Sequence, residues 1–436
     1  MKNFNFDVDY VRDQFPALSR TVNGYPAAFF DGPGGSQVPK MVVEAMEDYL
    51  FYHNANAGGA FRTSKESDAL FRRGREVISD FLNCTPDEVC FGNNTTANNV
   101  RLAFGMLREM KAGDEIIITD IDHEGNRSPW RTLEDFGIVV KSVALDTESF
   151  TLDFEDFKAK LSEKTRLVAV NWAANACGTI TDVKRFIDAA HEKGALAVID
   201  AVHYAPHKPI DVKALDADIL LCSAYKFFGP HIGILYMKKE VGEAFSSVRV
   251  YADDNADMPS KMEVGTLSVA GVCGAAAAVE FIADLGEKYQ DSFEEELGEL
   301  TGRRRHCVAG MLAIDAYEDT MVARLRQELA KIPGVKLFTA PEDCPKTTTV
   351  SLTMDGVPAG DIARFLAEKG LFVWHGDFYA LRFVNEIFQL GDQGGLLRIG
   401  LAPYNTDQEV DRLIGAFQEF AAGLDGAACS CAAGGR

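Results

Sequence analysis

No uninterrupted apolar run in this sequence approaches the ~20 residues a bilayer requires; the stretch 273–279 is typical of the longest. Basic charge is also scarce. Lysine and arginine number 44 against 65 aspartates and glutamates, a net charge of -21. That balance excludes nucleic acid and anionic membrane as expected partners and favours solubility. Residues 1–7 lack a basic segment followed by an apolar core, so no secretory signal is expected. The nine cysteines lack paired spacing apart from Cys429-Ser430-Cys431. Such a set predicts reduced thiols and a cytoplasmic protein. No metal site is expected, and no internal repeat is visible.

What the sequence does have is alternation over a length of 436 residues, enough for two domains. Apolar, β-rich runs at 88–91, 115–119, 138–144, 166–171, 195–199, 218–222 and 232–237 are separated by helix-like stretches such as 98–110, 154–161 and 183–193. This predicts an α/β domain with a mostly parallel sheet, with ligands gathering beyond the carboxyl ends of its strands. The stretch 279–331 is charged and helix-like, and its acidic and basic triplets (Glu294-Glu295-Glu296 and Arg303-Arg304-Arg305) read as solvated helix faces. It leads to a smaller α+β domain with strands at 347–354, 371–374 and 396–401 and a helix at 359–369. A capping box, Thr406-Asp407-Gln408-Glu409, opens the last helix. The expected divisions are an N-terminal segment 1–20 packing on the small domain, a large domain 21–290, a small domain 291–424 and a flexible tail 425–436.

Two residues carry the chemistry. Lys226 closely follows the apolar run 218–222, and Asp200 ends the run 195–199. A lysine presented this way forms an imine with an aldehyde, and an acid so placed holds a pyridine nitrogen protonated, the two anchors of a pyridoxal phosphate (PLP) enzyme. A surface lysine and a helix-capping aspartate are the plainer readings of each residue taken singly. The run Gly92-Asn93-Asn94-Thr95-Thr96 places N–H groups and hydroxyls at a strand-to-helix junction, where a helix N-terminus favours an anion.

Taken in order, these motifs resemble the class V aminotransferase family, and within it the cysteine desulfurases and their relatives, over nearly the whole chain. The resemblance implies the PLP fold type I and a homodimer with a shared active site. Lys226 then matches the Schiff-base lysine and Asp200 the partner of the pyridinium nitrogen. His123, in Asp122-His123-Glu124-Gly125-Asn126, matches the histidine that stacks on the ring and relays protons. Thr95, Thr96 and Ser223 match the phosphate cradle, with Asn94 replacing the family's glycine. Tyr225 stands where desulfurases carry histidine, and His203 where they carry a glutamine that contacts the cofactor's phenolic oxygen. Asn175 matches the asparagine near cofactor and substrate carboxylate, and Thr266 the residue that reaches the partner subunit's phosphate. Arg398 matches the arginine that grips the substrate α-carboxylate, a task its planar fork suits. The loops 31–37 and 54–59 are expected at the substrate entrance.

One departure bears on the reaction. Desulfurases carry sulfur on a mobile cysteine, and Tyr379 falls at that position in Trp374-His375-Gly376-Asp377-Phe378-Tyr379-Ala380. A phenol holds no persulfide. His375, Asp377 and Tyr379 are therefore candidates for substrate recognition or proton transfer, or they pack a domain interface. The expected activity is desulfurase-like C–S cleavage of an α-amino acid by β-elimination. Two alternatives are amino transfer to a keto acid and true desulfuration using Cys429 or Cys431 of the tail, with no sulfur-acceptor protein identifiable.

Overall fold

Strands in the larger part of the molecule alternate their side chains between two separate hydrophobic clusters. In Leu196–Asp200, Ala197 and Ile199 enter one cluster and Val198 the other; in Ile219–Ser223, Leu220 and Cys222 oppose Ile219 and Leu221. This period of two buries both faces, as a sheet clad by helices on each side requires. The computed structural model describes residues 5–248 and 257–433, with side chains through 424.

The resulting seven-stranded sheet runs, in space, Val89–Gly92, Gly233–Met237, Ile219–Ser223, Leu196–Asp200, Thr165–Asn171, Glu115–Thr119 and Val139–Val143. Gly233–Met237 is antiparallel to both neighbours, and every other pairing is parallel. Each strand lies within a residue or two of its expected place. Helix Val269–Tyr289 packs in the same cluster as one sheet face. By length and composition the stretch Val269–Leu297 could cross a membrane, although charged residues interrupt it. However, 83% of its most apolar window is buried inside the protein, so it is a core helix.

The smaller sheet is antiparallel, in the order Val335–Phe338, Thr349–Met354, Leu396–Gly400, Trp374–Gly376. The single expected strand at 371–374 is divided. Leu371–Phe372 pairs in parallel with Ala28–Phe29, and Trp374–Gly376 joins the small sheet. Helix Gly302–Leu329 serves both cores: Cys307 and Ile314 pack with the large domain, Met321, Leu325 and Leu329 with the small one. The packing therefore changes hands inside this helix. Ala28 and Phe30 also belong to the small cluster. In the N-terminal segment Arg12 pairs with Glu409 at 2.9 Å, while Phe15 meets both Tyr404 and Phe281. The capping box at Thr406 forms, each partner's backbone N–H donating to the other's side chain at 3.2 Å. The last helix spans Asp407–Ala433, where a flexible tail from 425 was expected; the side chains of Cys429 and Cys431 lie outside the described residues.

Candidate active site

Asp200, Asn171 and Ser223 end three adjacent parallel strands, and Lys226 follows Ser223 in a short 3-10 turn, so the sheet's carboxyl edge gathers the predicted groups. Lys226 is buried, and its Nζ donates to the carbonyls of Pro33 and, at 3.1 Å, Gly34. Burial, with the Arg398 charge, brings its pKa down to about 7. Asp200 is buried too, and burial pushes its carboxyl up to about 6, while one oxygen accepts the Val202 N–H at 2.9 Å.

His123 caps helix Glu124–Arg131, its Nδ1 accepting the Gly125 N–H at 2.8 Å, which leaves the ring proton on Nε2. Burial, then the Lys226 and Arg398 charges, lower its pKa to about 4, so the ring is neutral. A side chain at Gly125 would stand 2.8 Å from Thr96 Oγ1; glycine lets this turn close on the neighbouring helix. Beneath it Asp122 accepts from Thr119 Oγ1 and Asn126 Nδ2, and Asn99 donates to Gly125 O at 2.9 Å and Asn126 Oδ1 at 3.0 Å. Asn99 lies on helix Thr95–Leu107, so this network ties the His123 turn to the start of that helix.

At that helix's start Asn94 Oδ1 accepts the Ala97 N–H at 2.8 Å, doing the capping that glycine cannot do with a side chain. Thr95 Oγ1 lies 2.7 Å from Ser223 Oγ, pairing two hydroxyls beside the first-turn N–H groups. Thr96 is exposed. Gly233 makes this crossing feasible, since a Cβ there would sit 2.4 Å from the Asn94 carbonyl carbon. Tyr225 stacks on His231 at 4.7 Å between centroids. His231 was not anticipated, because nothing in its local sequence distinguishes it from a loop histidine.

Arg398 reaches the same edge from the small domain. It is buried, its Nη1 donates to Asn175 O at 3.0 Å, and its guanidinium lies 4.0 Å from the Phe378 ring centroid. Burial lowers its pKa to about 9. Asn175 Nδ2 donates to Phe378 O at 2.9 Å, and the Glu124 N–H donates to Tyr379 O at 2.7 Å. Phe378 and Tyr379 both adopt φ 57°, a left-handed conformation that side chains disfavour, and these bonds hold it. The Tyr379 ring is exposed and lies 5.5 Å from His123. Asp31, expected only as part of the entrance, is drawn in: burial raises its pKa to about 6, and Oδ1 is buried without a protein partner.

Three predicted residues engage other partners or lie apart. His203 Nε2 bonds Thr349 Oγ1 at 2.7 Å and Thr347 Oγ1 at 3.1 Å, bridging the two domains. His375 opens on a separate pocket of about 420 Å³ with Arg364, Asp377 and Asn385. Its position pairs with Leu397, one residue from Arg398, so it faces the opposite side of the sheet. Thr266 is exposed on the segment preceding helix Val269–Tyr289.

The residues fit a phosphorylated pyridine aldehyde. Arg398 Nε, Asn175 Oδ1 and His203 Nδ1 are buried without a protein partner, and buried polar atoms are rarely left so. The hydroxyl pair, the acid and the near-neutral amine complete the donor set.

The family described as Aminotransferase class-V matches residues 28–304 and 306–413. The chain is 31% identical to the aminotransferase-like protein FGM3 of Gibberella zeae, over 96% of this chain and 99% of that protein. It is 32% identical to a probable cysteine desulfurase of Synechocystis, over 94% of each. The solved apo structure of a cysteine desulfurase from Thermococcus onnurineus superposes with a TM-score of 0.84 at 26% identity, covering 97% of this chain and 100% of the other. With the lysine, acid and arginine gathered at the edge of a fold type I sheet, the chain belongs to the class V aminotransferases as a PLP-dependent, cysteine desulfurase-like enzyme.

Proposed function

We propose that this enzyme cleaves the C–S bond of an α-amino acid by β-elimination, without a persulfide on its active-site loop. The observation that carries this is the Tyr379 loop. It holds an aromatic side chain at the desulfurase cysteine's position, and both flanking carbonyls are bonded to the site wall through Asn175 and Glu124.

PLP, when bound, supplies an electron sink for the substrate's α-carbon. Asp200, oriented by the Val202 N–H, would keep the ring nitrogen protonated. The Thr95 and Ser223 hydroxyls and the helix N-terminus would hold the phosphate. The neutral His123 ring would pack against the pyridine. Arg398 binds the substrate carboxylate, its plane set by Asn175 O and Phe378. Lys226 Nζ, close to neutral pKa, takes the proton from the substrate's α-carbon and releases it again.

We further infer a homodimer that shares its active sites. The exposed segment carrying Thr266 and the exposed side chains of Leu50, Phe51, Tyr52 and Phe61 support it.

A second reading, amino transfer to a keto acid, is favoured by the aminotransferase-like name of the Gibberella relative. Incubation with L-cysteine, cystine and amino acid/keto acid pairs separates the two. Sulfide or persulfide with pyruvate supports elimination. A pyridoxamine spectrum refutes it in favour of transfer, and alanine as the main product from cysteine refutes it in favour of desulfuration.

A further inference from the structure

His203 stands on the segment after Asp200, and the Lys226 and Arg398 charges both bear on its ring. Its Nε2 lies 2.7 Å from Thr349 Oγ1 and 3.1 Å from Thr347 Oγ1, and Thr347 Oγ1 donates to Thr349 Oγ1 at 3.3 Å. All three residues are buried. Among the described residues these two hydroxyls bond only each other and this nitrogen. The threonines are themselves held in place. Arg326 Nη2 donates to the carbonyls of Thr347 at 2.5 Å and Thr349 at 3.1 Å, and the Thr347 N–H donates to Gly178 O at 2.9 Å.

This closed triangle decides which nitrogen carries the ring hydrogen. Burial holds the imidazole neutral, so one nitrogen is a donor and the other an acceptor. Were the hydrogen on Nε2, three hydrogens would share three atoms, one of which, the N–H nitrogen, accepts nothing. One hydroxyl hydrogen would then be buried without an acceptor, at the cost of its lost solvation. With the hydrogen on Nδ1, Thr349 O–H donates to Nε2 and Thr347 O–H donates to Thr349 Oγ1. Every hydrogen in the triangle is then placed. Nδ1, buried and without a protein partner, is left as an unspent donor at the catalytic edge.

We propose that Thr349 and Thr347 fix His203 as its Nδ1–H tautomer, so that it offers a hydrogen-bond donor to an acceptor atom of the bound cofactor. Both threonines belong to the small domain. Thr349 opens the strand Thr349–Met354, in which Ser351 pairs with Arg398. One sheet thus delivers the arginine assigned to the substrate carboxylate and sets the donor that meets the cofactor. Thr347 and Thr349 touch no reacting atom; they are positioning residues that act through His203. The proposal rests on the cofactor standing at this edge, and not on which bond the enzyme breaks.

The test is nitrogen-15 NMR of the full chain labelled in histidine alone, first without cofactor. His203 is identified by the signals lost in His203→Gln. Nδ1 should show the shift of a nitrogen bearing hydrogen, and Nε2 that of a hydrogen-bonded acceptor. Hydrogen on Nε2, or on both nitrogens, in the cofactor-free wild type overturns the proposal. The double variant Thr347→Val, Thr349→Val should gain the Nε2–H form, and the matching pair of serines should keep the wild-type pattern. A valine pair indistinguishable from wild type overturns the proposal too. If that variant fails to fold, the wild-type tautomer and the response to cofactor decide. Loading with PLP should shift the Nδ1 signal, because its N–H acquires an acceptor, while Nε2 stays an acceptor. An unmoved Nδ1 signal in protein that borohydride labels at Lys226 overturns the proposal. Absence of that label defeats the cofactor reading, while Nδ1–H in the cofactor-free protein still supports the threonine assignment.

Discussion

Replacing Arg398 with lysine keeps the charge and removes the fork. In the folded protein Arg398 already spends Nη1 on Asn175 O and lies over Phe378, leaving Nε buried and unpartnered. Its remaining N–H groups can therefore meet both oxygens of a substrate carboxylate, whereas a lysine presents a point charge. Losing one charge-assisted hydrogen bond is worth about 1.5–3 kcal/mol, or roughly a 10- to 150-fold rise in the substrate dissociation constant. The effect should appear in binding of substrate carboxylates, followed by cofactor absorbance, and in KM more than kcat. The cofactor should still load, because Arg398 is not among the groups that hold the phosphate or ring nitrogen. A dissociation constant within about twofold of wild type would refute the assignment, since it lies far below the expected loss.

Three further outcomes follow from the site. Gly233→Ala forces a methyl against the Asn94 carbonyl carbon and should cost about 1–3 kcal/mol in urea unfolding while weakening cofactor retention. Asn99→Ala removes the two bonds that tie the His123 turn to helix Thr95–Leu107. It should destabilise the protein by about 1–3 kcal/mol, with activity falling alongside, and an unchanged urea midpoint would contradict it. The rate of cofactor capture by the cofactor-free protein should rise with pH through about 7 and level off above it, because burial lowers the Lys226 pKa and the neutral amine is the nucleophile. A profile still climbing to the ordinary lysine range would contradict that burial.

Much of this was legible in the residues because strands of a buried sheet announce themselves. The runs ending in Asp200 and Ser223 are apolar throughout, and functional groups follow their carboxyl ends. The turn before helix Thr95–Leu107 was legible through Asn94, which caps it, and Thr95, whose hydroxyl meets Ser223. Asp31 was less so, since only the fold brings its carboxyl near Lys226 and Arg398. His375 was expected beside Tyr379 on sequence proximity, but the alternation of an edge strand turns it to the other face.

The central claim is that Lys226 holds the aldehyde of the cofactor. Purified protein loaded with PLP, reduced with borohydride and digested, should yield a single phosphopyridoxyl peptide modified at Lys226. Modification at any other lysine, or none, would contradict the account.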